Sequence, residues 1–139
     1  MTGTVVVDSS AIIAILRDEP ERAAIQSVLD KSTNSLCSLV TFVESFMVVT
    51  GRNVGTLPND HLELISSLGI SLVPLDPSQA NLAAEAFLRF GKGRHPAKLN
   101  LGDCFSYALA KSLQAPLLYK GEDFAKTDIV AATAAGVRP

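Results

Sequence analysis

Residues 4–7 read Thr-Val-Val-Val and are closed at once by Asp8, Ser9 and Ser10. Four β-branched residues in a row favour a strand, and no polar residue alternates with Val5, Val6 and Val7, so both faces of that strand must be buried. A strand buried on both faces needs helices on both sides of its sheet. The following residues supply the first of them: Asp8-Ser9-Ser10 offers helix-capping side chains, with the serines the expected caps, and an apolar helix is predicted over 11–16.

The same alternation continues along the chain. A second helix is predicted from Pro20, a second strand over 36–40, and a helix opened by Thr41 that carries Phe42, Phe46 and Val49. A helix over 60–68 and a strand over 70–75 come next. Asp76-Pro77-Ser78-Gln79 combines an N-cap, a first-position proline and a Gln three residues after the cap, which predicts a helix over 77–90. Asn100 caps a further helix to residue 113, a fourth strand follows over 116–119, and the tail offers a short fifth near Ile129. The expected fold is a single-domain, three-layer α/β/α arrangement over 1–139, with a central parallel sheet of four or five strands. In such a sheet the functional crevice lies at the carboxyl ends of the strands.

Composition bears on where such a domain works. Hydrophobic residues at 47% exclude a disordered chain, and the mean hydropathy of +0.28 makes a membrane span worth testing. The most apolar stretch, 39–50, is interrupted by Glu44 and is far short of the roughly 20 residues a bilayer requires. No basic segment precedes the first strand, and the only cysteines, Cys37 and Cys104, both stand among apolar neighbours. A reducing cytoplasm, no membrane and no disulfide are therefore expected.

Four acids fall at the functional edge of the expected sheet. Asp8 ends the first strand, Asp123 lies just beyond the fourth, and Glu44 and Asp103 lie near the starts of helices that begin on that edge. Each has a plain structural role. Asp8 can cap the first helix, Glu44 completes a Thr41-x-x-Glu44 capping box, Asp103 suits the positive end of its helix dipole, and Asp123 can close an Asx turn. Their shared edge is what argues for chemistry. Crowded carboxylates resist ionisation unless a cation offsets them, and hard oxygen ligands with no His or Cys beside them select Mg²⁺, with Mn²⁺ as the alternative.

These residues resemble the PilT N-terminal (PIN) domain family and, within it, the VapC toxins of bacterial toxin–antitoxin pairs. The resemblance spans almost the whole chain. It rests on Val5-Val6-Val7-Asp8-Ser9-Ser10-Ala11, Thr41-Phe42-Val43-Glu44, 100–108 (Asn-Leu-Gly-Asp-Cys-Phe-Ser-Tyr-Ala), 117–124 (Leu-Leu-Tyr-Lys-Gly-Glu-Asp-Phe) and Thr127-Asp128-Ile129, in that order. It implies a metal-dependent endoribonuclease in which Asp8, Glu44, Asp103 and a fourth acid hold the ion. Asp123 is the expected fourth acid, with the adjacent Glu122 in reserve, and Ser10 would orient Asp8 or act as a helix cap. The resemblance also implies an RNA substrate, such as tRNA or another structured RNA, a cognate antitoxin of the VapB type, and a homodimer.

The net charge of −2 does not oppose an RNA partner, because polyanions respond to local patches. Arg89, Lys92, Arg94 and Lys98 lie within ten residues that contain no acid. On its own that segment reads as a solvated loop; beside an acidic metal site it would steer phosphates without reading sequence. His95 and His61 receive no role. Three rival readings are an aspartate-based phosphatase, a receiver-like signalling domain with Asp76 as phospho-acceptor, and a non-catalytic module on the same fold. The first wants a second Asp where Ser10 stands, and the second wants an acidic pair after the first strand.

Overall fold

The computed structural model describes residues 3–52 and 54–132. Strands β1 (Thr4–Val7), β2 (Asn34–Ser38), β3 (Ile70–Val73) and β4 (Leu117–Leu118) form one sheet in the order β3-β2-β1-β4. Every neighbouring pair is parallel. Helices α1 (Ser9–Leu16), α2 (Arg22–Lys31), α3 (Leu39–Thr50), α4 (Pro58–Ser67), α5 (Pro77–Phe90) and α6 (Leu101–Leu113) make the connections. The α/β class and the parallel four-stranded sheet are those expected from the alternation of elements.

Successive side chains of a strand point to opposite faces. In β1, Val5 and Val7 pack with Ile12, Ile15, Ile25 and Val28, whereas Val6 packs with Ala83, Phe90, Tyr107 and Leu109. All three valines are 0% exposed, so helices cover both faces, as the unbroken apolar run requires. Burying each valine contributes roughly 1.5–3 kcal/mol, and β1 is one of the two inner strands of the sheet. No helix among the described residues is long and apolar enough to cross a membrane.

Several boundaries differ from the sequence reading, each for a local reason. Helix α2 begins at Arg22, because Asp18 adopts a positive φ of 52° and the chain turns through Pro20 before the helix starts. Strand β2 starts at Asn34, where the backbone N–H groups of Thr33 and Asn34 both donate to Gly3 O and draw the segment alongside β1. Ser38 then caps α3 by accepting from Val40 N, so Thr41 lies within the helix and is fully buried. The expected Thr41–Glu44 capping box therefore does not exist. Near the tail, in place of a fifth strand at Ile129, a single parallel bridge joins Ala131 to Leu117. Residues 133–139 lie outside the described residues.

A candidate metal centre at the carboxyl edge

Asp8 leaves β1 at the carboxyl edge, where its N–H donates to Leu118 O at 2.9 Å. Its side chain turns over the start of α1 and is only 2% exposed. Oδ2 accepts from Ser10 N at 3.0 Å and from Ser10 Oγ at 2.7 Å, and Oδ1 accepts from Ser106 Oγ at 2.6 Å. Asp8, not either serine, is thus the cap of α1. Ser10 Oγ also accepts from Lys120 N at 2.9 Å, which ties the end of β4 to the same carboxylate.

Glu44 comes from α3, whose buried face is turned toward α1 and α6. Its Oε1 accepts from Ser9 Oγ at 2.7 Å. The carboxylate rests against Gly102 so closely that a Cβ on that residue would stand 2.2 Å from Oε2. Burial holds the Glu44 carboxyl above its ordinary pKa, with the charge of Asp8 adding to the effect and the Ser9 hydrogen bond opposing it.

Asp103 occupies the first turn of α6 in a reciprocal capping box. Its N–H donates to Asn100 Oδ1 at 2.9 Å and its Oδ2 accepts from Asn100 N at 3.0 Å. Burial pushes its carboxyl up to about 7, and the charges of Asp8, Glu44 and Asp123 push further against the Asn100 hydrogen bond. Asp103 is therefore the group that feels the other three acids. Asp123 is exposed at the head of the short 3-10 turn Phe124–Lys126. The charge of Asp123 bears on Asp103 and that of the neighbouring Glu122 on Tyr119.

Among the described residues, no three His, Cys, Asp or Glu side chains converge closely enough to ligate one ion as placed. Each of the three inner acids is turned onto a hydroxyl or N–H of its own surroundings. The donor chemistry nevertheless fits a hard divalent cation: the set is all carboxylate, it lies on one edge, and its members raise one another's cost of ionisation. The nearby thiols do not compete. Burial, with Asp8 adding, pushes Cys37 up to about 12, and burial, with Asp103 adding, pushes Cys104 to about 11, so both stay protonated.

Four residues that hold the acids were not read as part of the site: Gly102 and Ser106, which had no role, and Ser9 and Thr41, which were expected only as helix caps. Ser106 stands three residues after Asp103 and Thr41 three before Glu44. That spacing puts each hydroxyl on the same helix face as its acid, and it was the available signal.

The basic segment divides. Arg89 is engaged by Asp128 at 3.6 Å and Tyr107 Oη at 3.5 Å, beside Lys111. Asp103 and Lys111 are eight residues apart on α6, so that network sits about 12 Å along the helix from the acids. Lys92, Arg94 and Lys98 are exposed. Arg94 lies over the Phe87 ring at 5.6 Å, and Phe87 shares a groove with Leu101, next to Gly102. His95 packs edge-on against Phe90, and His61 is buried between Phe42 and Phe46 with Nε2 on Ser45 Oγ at 2.7 Å. Asp76 caps α5 by accepting from Gln79 N at 2.8 Å, the role expected of it.

Comparison with known proteins gives a consistent picture. A family model described as PIN domain matches residues 5–130. A protein of Mycolicibacterium smegmatis named Ribonuclease VapC is 42% identical over 127 residues, covering 91% of this chain and 98% of that protein. Ribonuclease VapC30 of Mycobacterium tuberculosis is 41% identical over 125 residues, covering 89% and 95%. Among solved structures, the fold is shared with Mycobacterium tuberculosis VapC20, described as a Sarcin-Ricin loop cleaving toxin, at a TM-score of 0.73 and 16% identity over 97% of this chain and 99% of that one. It is shared also with VapBC-1 from nontypeable Haemophilus influenzae, at a TM-score of 0.67 and 17% identity over 95% and 98%.

Proposed function

Because this chain belongs to the PIN domain family, we propose that it is a divalent-metal-dependent endoribonuclease and the toxin of a VapBC-type toxin–antitoxin pair. The observation that carries the metal-dependent reading is the gathering of acids from separate chain segments at one edge: Glu44 of α3 reaches Ser9 beside Asp8 and rests against Gly102 beside Asp103, while Ser106 of α6 holds Asp8, and burial with the neighbouring charges raises the Asp103 carboxyl. Helix capping explains one acid at a time; it does not explain why four chain segments bring like charges within range of one another. Names of relatives at about 40% identity support the ribonuclease reading.

Asp8, Glu44 and Asp103 would hold Mg²⁺ or Mn²⁺, with Asp123 completing the set from the solvent side. A bound ion of this kind supplies Lewis acidity and charge neutralisation at the scissile phosphate. The chain's own residues do the rest. Ser10 and Ser9 keep Asp8 and Glu44 turned inward, the Asn100 cap holds Asp103 on the first turn of α6, and Gly102 leaves room for the Glu44 carboxylate. Lys92, Arg94 and Lys98 would receive RNA phosphates approaching the edge, while Arg89 serves the Asp128 network.

A VapB-type antitoxin is the proposed protein partner, in line with relatives of the same fold described as toxin–antitoxin complexes. We assign self-association to the face formed by Val43, Met47, Val48, Leu75 and Leu101, which are 38–72% exposed and line one apolar groove that ends at Glu44. The deciding experiment incubates purified protein with structured and single-stranded RNA. Cleavage is expected with Mg²⁺ or Mn²⁺, and is expected to vanish with EDTA and in Asp8→Asn, whose fold is followed by circular dichroism. RNA cleavage that survives both treatments refutes the reading.

A further inference from the structure

Beneath the acids lies a line of buried hydroxyls that the metal-site reading does not use. Thr41 Oγ1 and Ser106 Oγ are 3.3 Å apart, and Ser106 Oγ is 2.6 Å from Asp8 Oδ1. Thr41 and Ser106 are both 0% exposed. Their donor directions follow from counting protons. A carboxylate only accepts, so the single hydroxyl proton of Ser106 goes to Asp8, and Thr41 must donate to Ser106. The order is Thr41 to Ser106 to Asp8.

The same count applies to the whole carboxylate. An Asp side chain offers about four acceptor sites, two on each oxygen. Ser10 N and Ser10 Oγ take both sites of Oδ2, and Ser106 takes one of Oδ1. Among the described residues a single site remains, and it is on Oδ1. Because Ser10 and Ser106 hold opposite oxygens, the carboxylate cannot rotate about its axis without breaking a buried hydrogen bond.

We infer that Ser106, supported by Thr41, is a positioning residue that clamps the Asp8 carboxylate so that only Oδ1, through one lone pair, is left to take a divalent cation. The clamp also links the helices that bring the other acids. Thr41 is one helical turn from Glu44 on α3, and Ser106 is one turn from Asp103 on α6, so a shift of either helix disturbs Asp8 along with its own acid. Fixing a ligand's orientation in this way is commonly worth 10- to 100-fold in metal affinity.

This inference rests on Asp8 holding the ion, and the test separates the two. Mn²⁺ binding is measured by the loss of its free-ion paramagnetic resonance signal in wild type, Asp8→Asn, Ser106→Ala, Ser106→Cys and Thr41→Val. The expected result is that Ser106→Ala retains the wild-type circular dichroism but binds Mn²⁺ at least about tenfold more weakly. Cleavage by that variant should need correspondingly more Mg²⁺ for half-activation. Ser106→Cys replaces the hydroxyl with a slightly larger, weaker donor, so it should show a smaller loss in the same direction, and it decides the matter should Ser106→Ala fail to fold. Thr41→Val, which leaves the Ser106 bond in place, should lose least. Mn²⁺ affinity that is unchanged or tighter in both Ser106 variants, with Asp8→Asn losing it, overturns the clamp alone. Affinity retained in Asp8→Asn overturns the metal assignment on which the clamp depends.

Discussion

Neutralising Asp103 should make this protein more stable. In the folded chain its carboxyl holds a proton up to about pH 7, whereas the unfolded carboxyl, with an ordinary value of 3.8, releases it far earlier. A group whose pKa is raised on folding favours the folded state at low pH and loses that contribution as pH climbs from the unfolded value through the folded one. Between about pH 4 and about pH 7, therefore, the wild type progressively bears the cost of a carboxylate that must either ionise among three other acids or stay protonated. The shift of about three units corresponds to about 4 kcal/mol at most. Asp103 is part-exposed, and solvent screening and side-chain relaxation reduce that to roughly 1–2 kcal/mol. Asp103→Asn removes the charge yet still offers an amide oxygen to Asn100 N, at a cost of about 0.3–1 kcal/mol in lost attraction to the helix dipole. The net expectation is a gain of about 1 kcal/mol, or a rise in Tm of about 2–4 °C. The assay is urea or thermal denaturation of both proteins in EDTA across about pH 4 to about pH 8. The gain should be absent at the acid end and full at the alkaline end, and added Mg²⁺ should stabilise the wild type in preference to the variant. A variant no more stable than wild type at the alkaline end, or a gain that persists undiminished in acid, would refute the account of Asp103 as a mutually repelled, desolvated acid.

Gly102→Ala should separate folding from function. Alanine is the better helix former by up to about 1 kcal/mol, and the flexible end of Glu44 can give way, so denaturation should show stability equal to or above wild type. RNA cleavage should nonetheless fall steeply, since the displaced carboxylate would otherwise stand 2.2 Å from the new Cβ. Lys92→Ala with Arg94→Ala should weaken RNA binding and reduce the salt slope by about one to two, as two fewer phosphates are neutralised; an unchanged slope would assign that loop elsewhere. Burial lowers the pKa of His61 below its ordinary 6.5, so the folded protein resists a proton that the unfolded chain accepts. The contribution is present above about 6.5 and is lost as pH falls below it. Wild type should therefore lose more stability than His61→Phe between about pH 7.5 and about pH 5.5, with equal losses counting against it.

Much of this architecture is written locally. The unbroken Val5-Val6-Val7 run can only be a strand covered on both faces, and helices α5 and α6 start and stop where their caps, Asp76 and Asn100, and their apolar periodicity require. Asp8 at the end of the first strand and Asp103 in a first helical turn are legible for the same reason: their positions follow from short-range rules. Glu44 is the counterexample. Its place after Thr41 reads as a capping box, but Ser38 captures the helix start, and Glu44 is left to meet Ser9 and Gly102 from distant parts of the chain.

What only the tertiary structure decided are the contacts that span the sheet. Ser106 lies 98 residues from Asp8, and nothing in its neighbours distinguishes it from a packing residue until α6 is laid across β1. Arg89 and Arg94 look equivalent in the basic segment and both are exposed, yet one contacts Asp128 and Tyr107 and the other lies over Phe87. Strand, cap and helix follow from interactions within a few residues, which a linear text encodes. The setting of a carboxylate depends on partners brought together by packing, and that information exists only once the chain has closed on itself.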